Sequence, residues 1–102
     1  MNKNIEDRIK ALESTIMRIK EVEKEKRYSQ YGDRIIECIK AGDYSEAGFV
    51  TECFKVATTQ FPIRISENGK VLLGNYIDAT VALINSLPTD DVRRGMREFY
   101  ND

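Results

Sequence analysis

Residues 5 to 27, IEDRIKALESTIMRIKEVEKEKR, set Ile5, Ile9, Leu12, Ile16 and Ile19 into an otherwise charged run. Successive members stand 4, 3, 4 and 3 positions apart. This is the alternation of d and a positions in a heptad repeat, narrower than the apolar stripe of a helix lying on a globular core. With Ile5 at d, Ile9 and Ile16 fall at a, and Leu12 and Ile19 at d. Arg8 then falls at g, within reach of Glu13 at the e position of a parallel partner helix. Glu23 occupies the next a position and ends the pattern, so EVEKEKR reads as a solvated helical extension held by propensity and opposite-charge pairs.

A seam two residues wide suits another helix better than a core, although packing on the chain's own domain would produce the same spacing. Two considerations favour a second copy. The polar faces are wide and charged, and the roughly 75 residues that remain form a domain of a size that is only marginally stable alone. Ile5, Ile9, Leu12, Ile16 and Ile19 are therefore expected to be a homo-oligomer interface. Residues 1–27 then serve as an oligomerisation helix and 28–102 as a small helical domain, together one structural unit.

The remaining helices are marked by punctuation. Tyr31, Ile35, Ile36 and Ile39 recur at helical spacing, and Gly42 follows as a stop, since glycine enters the left-handed region without steric cost. Asp43 and Glu46 in DYSE form a capping box for a helix on which Ala47, Val50, Phe54, Ala57 and Phe61 mark one face. That helix ends near Gln60, before Pro62. FPIRISENGKVLL alternates apolar and polar residues around Asn68-Gly69, the favoured pair of a type I′ turn, and reads as a short β-hairpin near residues 62–73. The same stretch also fits the start of a helix at Lys70, and the preferred reading orders that helix over about 75–86. Thr89-Asp90-Asp91 caps a last helix with Val92, Met96 and Phe99 inward. The expected fold is mostly all-α: an amphipathic coiled-coil helix followed by a bundle of three to four helices.

Composition excludes several function classes. A chain of 102 residues, 41% apolar and 32% charged, is one globular domain. Its 16 basic and 17 acidic residues leave a net charge of −1, with no field to attract a polyanion, so nucleic acid is not an expected partner. No apolar run approaches the ~20 residues needed to cross a bilayer, and MNKNIEDRIK lacks the apolar stretch of a secretory signal, so no membrane is involved and the expected location is cytoplasmic. Cys38 and Cys53 lie apart, and histidine is absent, so neither a metal site nor a cofactor is expected. Both cysteines sit among apolar neighbours and read as core residues.

Catalysis is not expected. The commonest general base is missing, as are the Gly-x-Ser-x-Gly, phosphate-loop and dinucleotide motifs. Two constellations point instead to binding of a small anionic ligand. Arg93, Arg94 and Arg97 cluster beside Tyr100 in VRRGMREFY, and guanidinium groups with an aromatic neighbour suit a phosphate or a base. Lys24, Lys26, Arg27, Tyr28 and Tyr31 cluster in KEKRYSQY, where assembled copies would bring basic and aromatic groups together. The expected function is a non-enzymatic oligomeric binding protein, a regulator or inhibitor that acts by protein–protein contact, of a size that suits a phage or mobile element. The alternative is an oligomer that sequesters an anionic small molecule or nucleotide between subunits.

Overall fold

Asn2 opens the first helix: its backbone is extended and its side-chain oxygen accepts a hydrogen bond from Ile5 N at 2.9 Å, satisfying one of the amides a helix start leaves free. The computed structural model describes residues 2–23, 26–60 and 67–101, which form five helices. They are α1 (Lys3–Val22), α2 (Ser29–Lys40), α3 (Tyr44–Gln60), α4 (Glu67–Asn85) and α5 (Thr89–Asn101), and no strand occurs among the described residues. α1 packs mainly on α4 and secondarily on α2, while α3 lies between α2 and α5.

The seam of α1 faces inward. Ile5, Ile9, Leu12, Ile16 and Ile19 are 0–5% exposed within a single chain. Arg8, expected to reach a partner helix, instead donates to the carbonyl of Ala82 in α4 at 3.3 Å and to Asn4 Oδ1 at 3.2 Å. The expectation of an interface between copies is thus corrected: these five side chains meet other helices of their own chain, and a coiled coil would have to open the fold to use them. The radius of gyration, 13.2 Å, matches the roughly 13 Å of a compact domain of this length, so α1 does not project as an arm.

The charged extension is also corrected. α1 stops at Val22, and Glu23 turns out of the helix with φ −104° and ψ 99°. Glu23 is only 7% exposed, because both carboxylate oxygens accept from Tyr28 N, at 3.0 and 3.1 Å, where α2 begins. Lys26 then adopts the left-handed conformation, with φ 54°, and reverses the chain.

α2 ends as expected. Gly42 is left-handed (φ 77°), Asp43 N donates to Cys38 O at 2.8 Å and Gly42 N to Ile39 O at 3.0 Å, the two bonds of a Schellman stop. Asp43 Oδ1 accepts from Glu46 N at 3.0 Å, which is half of the capping box. The other half is pre-empted, since Asp43 N already bonds to Cys38. Ala47, Val50, Phe54 and Ala57 are buried on α3, while Phe61 lies outside the described residues.

The hairpin is overturned where it can be seen. Residues 62–66 lie outside the described residues, but Glu67 to Leu73 are the first two turns of α4, with Asn68-Gly69 inside it. Gly69 is buried, and Leu72, Leu73 and Ile77 pack against the core beside buried Tyr76, so one helical register runs through the turn-forming pair. Tertiary packing outweighs the local preference of Asn-Gly. In α5, Thr89 is the first helical residue rather than the cap, and the carbonyl of Pro88 accepts from Val92 N at 3.3 Å. Val92 is buried and Met96 half-buried, as the spacing predicts.

The two placements of the seam predict different results for Ile9→Asp with Ile16→Asp. An interface between copies would lose assembly and keep its helices. The intrachain seam instead puts two carboxylates into the core, each costing several kcal/mol against a total stability of about 5–15 kcal/mol. The double variant is expected to lose its cooperative thermal transition and most of its helical circular dichroism, with the wild type folded under the same conditions.

Candidate functional site

Of the basic and aromatic junction, Lys24 lies outside the described residues, and Lys26 and Arg27 are exposed. Tyr28 is buried and Tyr31 half-buried, which corrects the expectation that they would face a ligand. Their rings enter a cluster around Phe54 of α3, with centroids 6.4 Å and 5.4 Å from it, and Tyr76 of α4 completes the cluster at 5.1 Å. Tyr28 and Tyr76 meet Phe54 edge-on and Tyr31 meets it tilted, and such aromatic pairs add to the apolar area they bury.

Tyr76, fully buried, ties three helices at one point. Its hydroxyl donates to the carbonyl of Tyr28 at 2.6 Å and accepts from Gly32 N at 2.8 Å. A methyl group on Gly32 would lie 2.7 Å from that oxygen and 2.8 Å from Ile16 Cδ1, so only glycine lets α1 and α4 close over α2 here. Burial holds the Tyr76 phenol well above its ordinary range, so it stays protonated as a donor.

At the other edge, α3 and α5 cross with their backbones in contact. A Cβ on Gly48 would collide with the carbonyl of Val92, and one on Gly95 with that of Ser45. Phe49 and Phe99 meet edge-on at 5.7 Å. Tyr100 donates to Glu52 Oε2 at 2.6 Å, and Lys55 Nζ lies 3.3 Å from Glu52 Oε1. That bond to the carboxylate holds the Tyr100 phenol above its ordinary range.

Arg93, Arg94 and Arg97 are all exposed. Arg94 pairs with Asp91 at 3.3 Å, whereas Arg93 and Arg97 have no acidic partner among the described residues. Tyr100 follows them at i+7 and i+3, on the same flank of α5.

The feature that sequence reasoning missed is a groove of about 390 Å³ between α1 and α2. Glu13, Ile16, Met17 and Lys20 line it from α1, and Asp33, Ile36 and Glu37 from α2. Its floor is the buried pair Ile16 and Ile36, and Met17 on its wall is 68% exposed. Lys20 pairs with Asp33 at 3.1 Å and Arg34 with Glu37 at 3.5 Å, while Glu13 has no cationic partner among the described residues. Met17 falls at a b position of the heptad register, where an apolar side chain points away from the seam, and that was the available signal.

Among the described residues no three potential metal ligands come together. Burial raises both the Cys38 and Cys53 thiols, away from the reactive thiolate. No buried side-chain polar atom among the described residues lacks a partner, and no described helix is long and apolar enough to cross a membrane. Comparison of the chain with protein families, with curated proteins and with solved structures finds no match.

Tyr76→Phe should cost about 1–3 kcal/mol in urea unfolding, because Gly32 N and the Tyr28 carbonyl lose a buried partner. The pH dependence carries the same signature. The unfolded chain releases this proton near the ordinary value of 10.0 while the folded chain retains it. The unfolded state therefore binds fewer protons above that pH, and stability falls as pH rises from there, with the contribution intact below. Thermal midpoints measured from pH 8 to 11 should fall less steeply at the alkaline end in the variant than in the wild type.

Proposed function

We propose that the chain is a non-enzymatic binding protein, a regulator or inhibitor that acts by protein–protein contact, and that the α1/α2 groove is its docking surface. The observation that carries this reading is the exposed Met17 above an apolar floor, flanked by carboxylates on both helices. Methionine is adaptable, and exposed methionines suit surfaces that receive an apolar side chain. Two helices side by side with an apolar floor offer the helix-in-groove mode, in which a partner helix lays anchors at i, i+3 or i+4 along the gap. The rim favours a cationic partner: Lys20 offsets Asp33 and the exposed Arg34 pairs with Glu37, which leaves Glu13 without a cationic partner among the described residues.

Synthetic amphipathic helical peptides with arginine or lysine beside a leucine face, and a charge-reversed set with glutamate, test this by calorimetry. The cationic set is expected to bind at least about tenfold more tightly, consistent with ~1.4 kcal/mol of discrimination. Met17→Gln, which removes the apolar contact without adding charge, should remove most of that binding while leaving helicity unchanged, since the side chain is exposed. Equal or absent binding of both sets would overturn the reading.

A second reading, an anionic small ligand on α5, is favoured by the absence of an acidic partner for Arg93 and Arg97 among the described residues. Titration with inorganic pyrophosphate and with nucleoside triphosphates at low salt should then give heat that Arg93→Gln with Arg97→Gln abolishes. No heat from the wild type would end this reading.

A further inference from the structure

The chain carries both halves of the contact just described. One is the acidic groove, with Glu13 unpaired among the described residues and Glu37 held only by an exposed arginine at 3.5 Å. The other is the exposed flank of α5, whose Arg93 and Arg97 have no acidic partner among the described residues and whose Tyr100, its hydroxyl bonded to Glu52, is 68% exposed on the same flank. Arg93 and Arg97 stand one helical turn apart, about 6 Å along the axis. Glu13 and Met17 on the groove wall have the same i, i+4 spacing, so one guanidinium group can meet Glu13 while the other helix face, with the exposed Tyr100 ring, lies along Met17.

Within one chain this pairing is not made. α5 packs on α3, whereas the groove lies between α1 and α2.

We infer that the occupant of the α1/α2 groove is the arginine flank of α5 from a second copy of this chain. The inference rests on the proposed docking role of the groove and names its partner. It also relocates self-association from the α1 seam, which is buried, to two exposed surfaces of opposite charge. Groove and flank are different surfaces: the contact is isologous and closes as a pair when each copy inserts its α5 into the other's groove, and is heterologous and propagates as a chain of copies when it does not. Contact between exposed charges over an apolar centre weakens with salt, because the screening length shortens from about 30 Å at 0.01 M to about 3 Å at 1 M.

The test uses full-length chains and light scattering at low and high salt. The wild type is expected to associate in the high micromolar range at low salt and to weaken at least tenfold in ~0.5 M salt. Glu13→Arg with Glu37→Arg makes the groove cationic, and Arg93→Glu with Arg97→Glu makes the flank anionic. All four side chains are exposed, so both variants should keep the wild-type circular dichroism. Each variant alone should be monomeric, since like charges then face each other. Mixed in equal amounts, they should associate again, because each groove meets a flank of opposite sign.

Control variants with the same changes in net charge, Glu6→Arg with Glu67→Arg and Lys3→Glu with Lys70→Glu, should each associate alone as the wild type does. A wild type that is monomeric at low salt overturns the inference, as does a mixture that fails to restore association or controls that behave like the groove and flank variants. A monomeric wild type whose groove still binds the cationic peptides removes the second copy as occupant and leaves the docking surface standing. A monomeric wild type that binds no peptide removes both.

Discussion

Three helices meet over the missing side chain of Gly32. Ile16 arrives from α1, and the Tyr76 hydroxyl arrives from α4, accepting from the Gly32 amide while donating to the carbonyl of Tyr28. The first turn of α2 is a place where amides lack helical partners. One phenol and one carboxylate, Glu23, supply acceptors to two of them from outside the helix. This arrangement fixes the end of α1, the start of α2 and the middle of α4 together. It also turns Tyr28 inward, onto Phe54 of α3. A Cβ at position 32 would press on the Tyr76 hydroxyl and on Ile16 Cδ1, so those two side chains would have to give way.

The narrow seam follows from that convergence. A helix facing one flat layer needs a broad stripe, whereas α1 lies in the cleft between α4 and α2 and shows each only a line of side chains. A strip with heptad spacing meets that requirement as well as it meets a coiled coil. Periodicity identifies which residues leave water, and all five seam residues do so. It carries no information about whether the receiving surface belongs to the same chain.

Some local chemistry is legible in the sequence, although Thr89 is the first residue of α5 rather than its cap. Gly42 stops α2, Asp43 caps the start of α3, and Ala47, Val50, Phe54 and Ala57 form its inner face, because each depends on steric or hydrogen-bonding rules acting within a few residues. Features set by distant contacts were not legible. Asn68-Gly69 became helix because Gly69 and Tyr76 are buried in one register. Glu23 looked like the end of a pattern because its partner, Tyr28 N, accepts no description in terms of heptads. In the candidate site, Arg93, Arg94, Arg97 and Tyr100 were legible as an exposed cluster. The groove was not, because it exists only once α2 lies beside Met17.

Exposed apolar residues elsewhere do not compete with that groove. Val71 and Val81 on α4 are 66% and 48% exposed, but they stand ten positions apart, about 15 Å along the helix, with Gly74, Asn75 and Asp78 between them. Isolated surface valines of this kind are common and imply no partner. Met17 differs because it has a second wall, Ile36 and Glu37 of α2, and a floor already excluded from water. A side chain entering there would bury apolar area on two sides at once, whereas one resting on α4 would bury a single face. The charge on the rim adds direction to that gain. In the proposed docking role, an apolar floor rewards any hydrophobic group, and the carboxylates of Glu13 and Glu37 favour one that also brings guanidinium or ammonium groups.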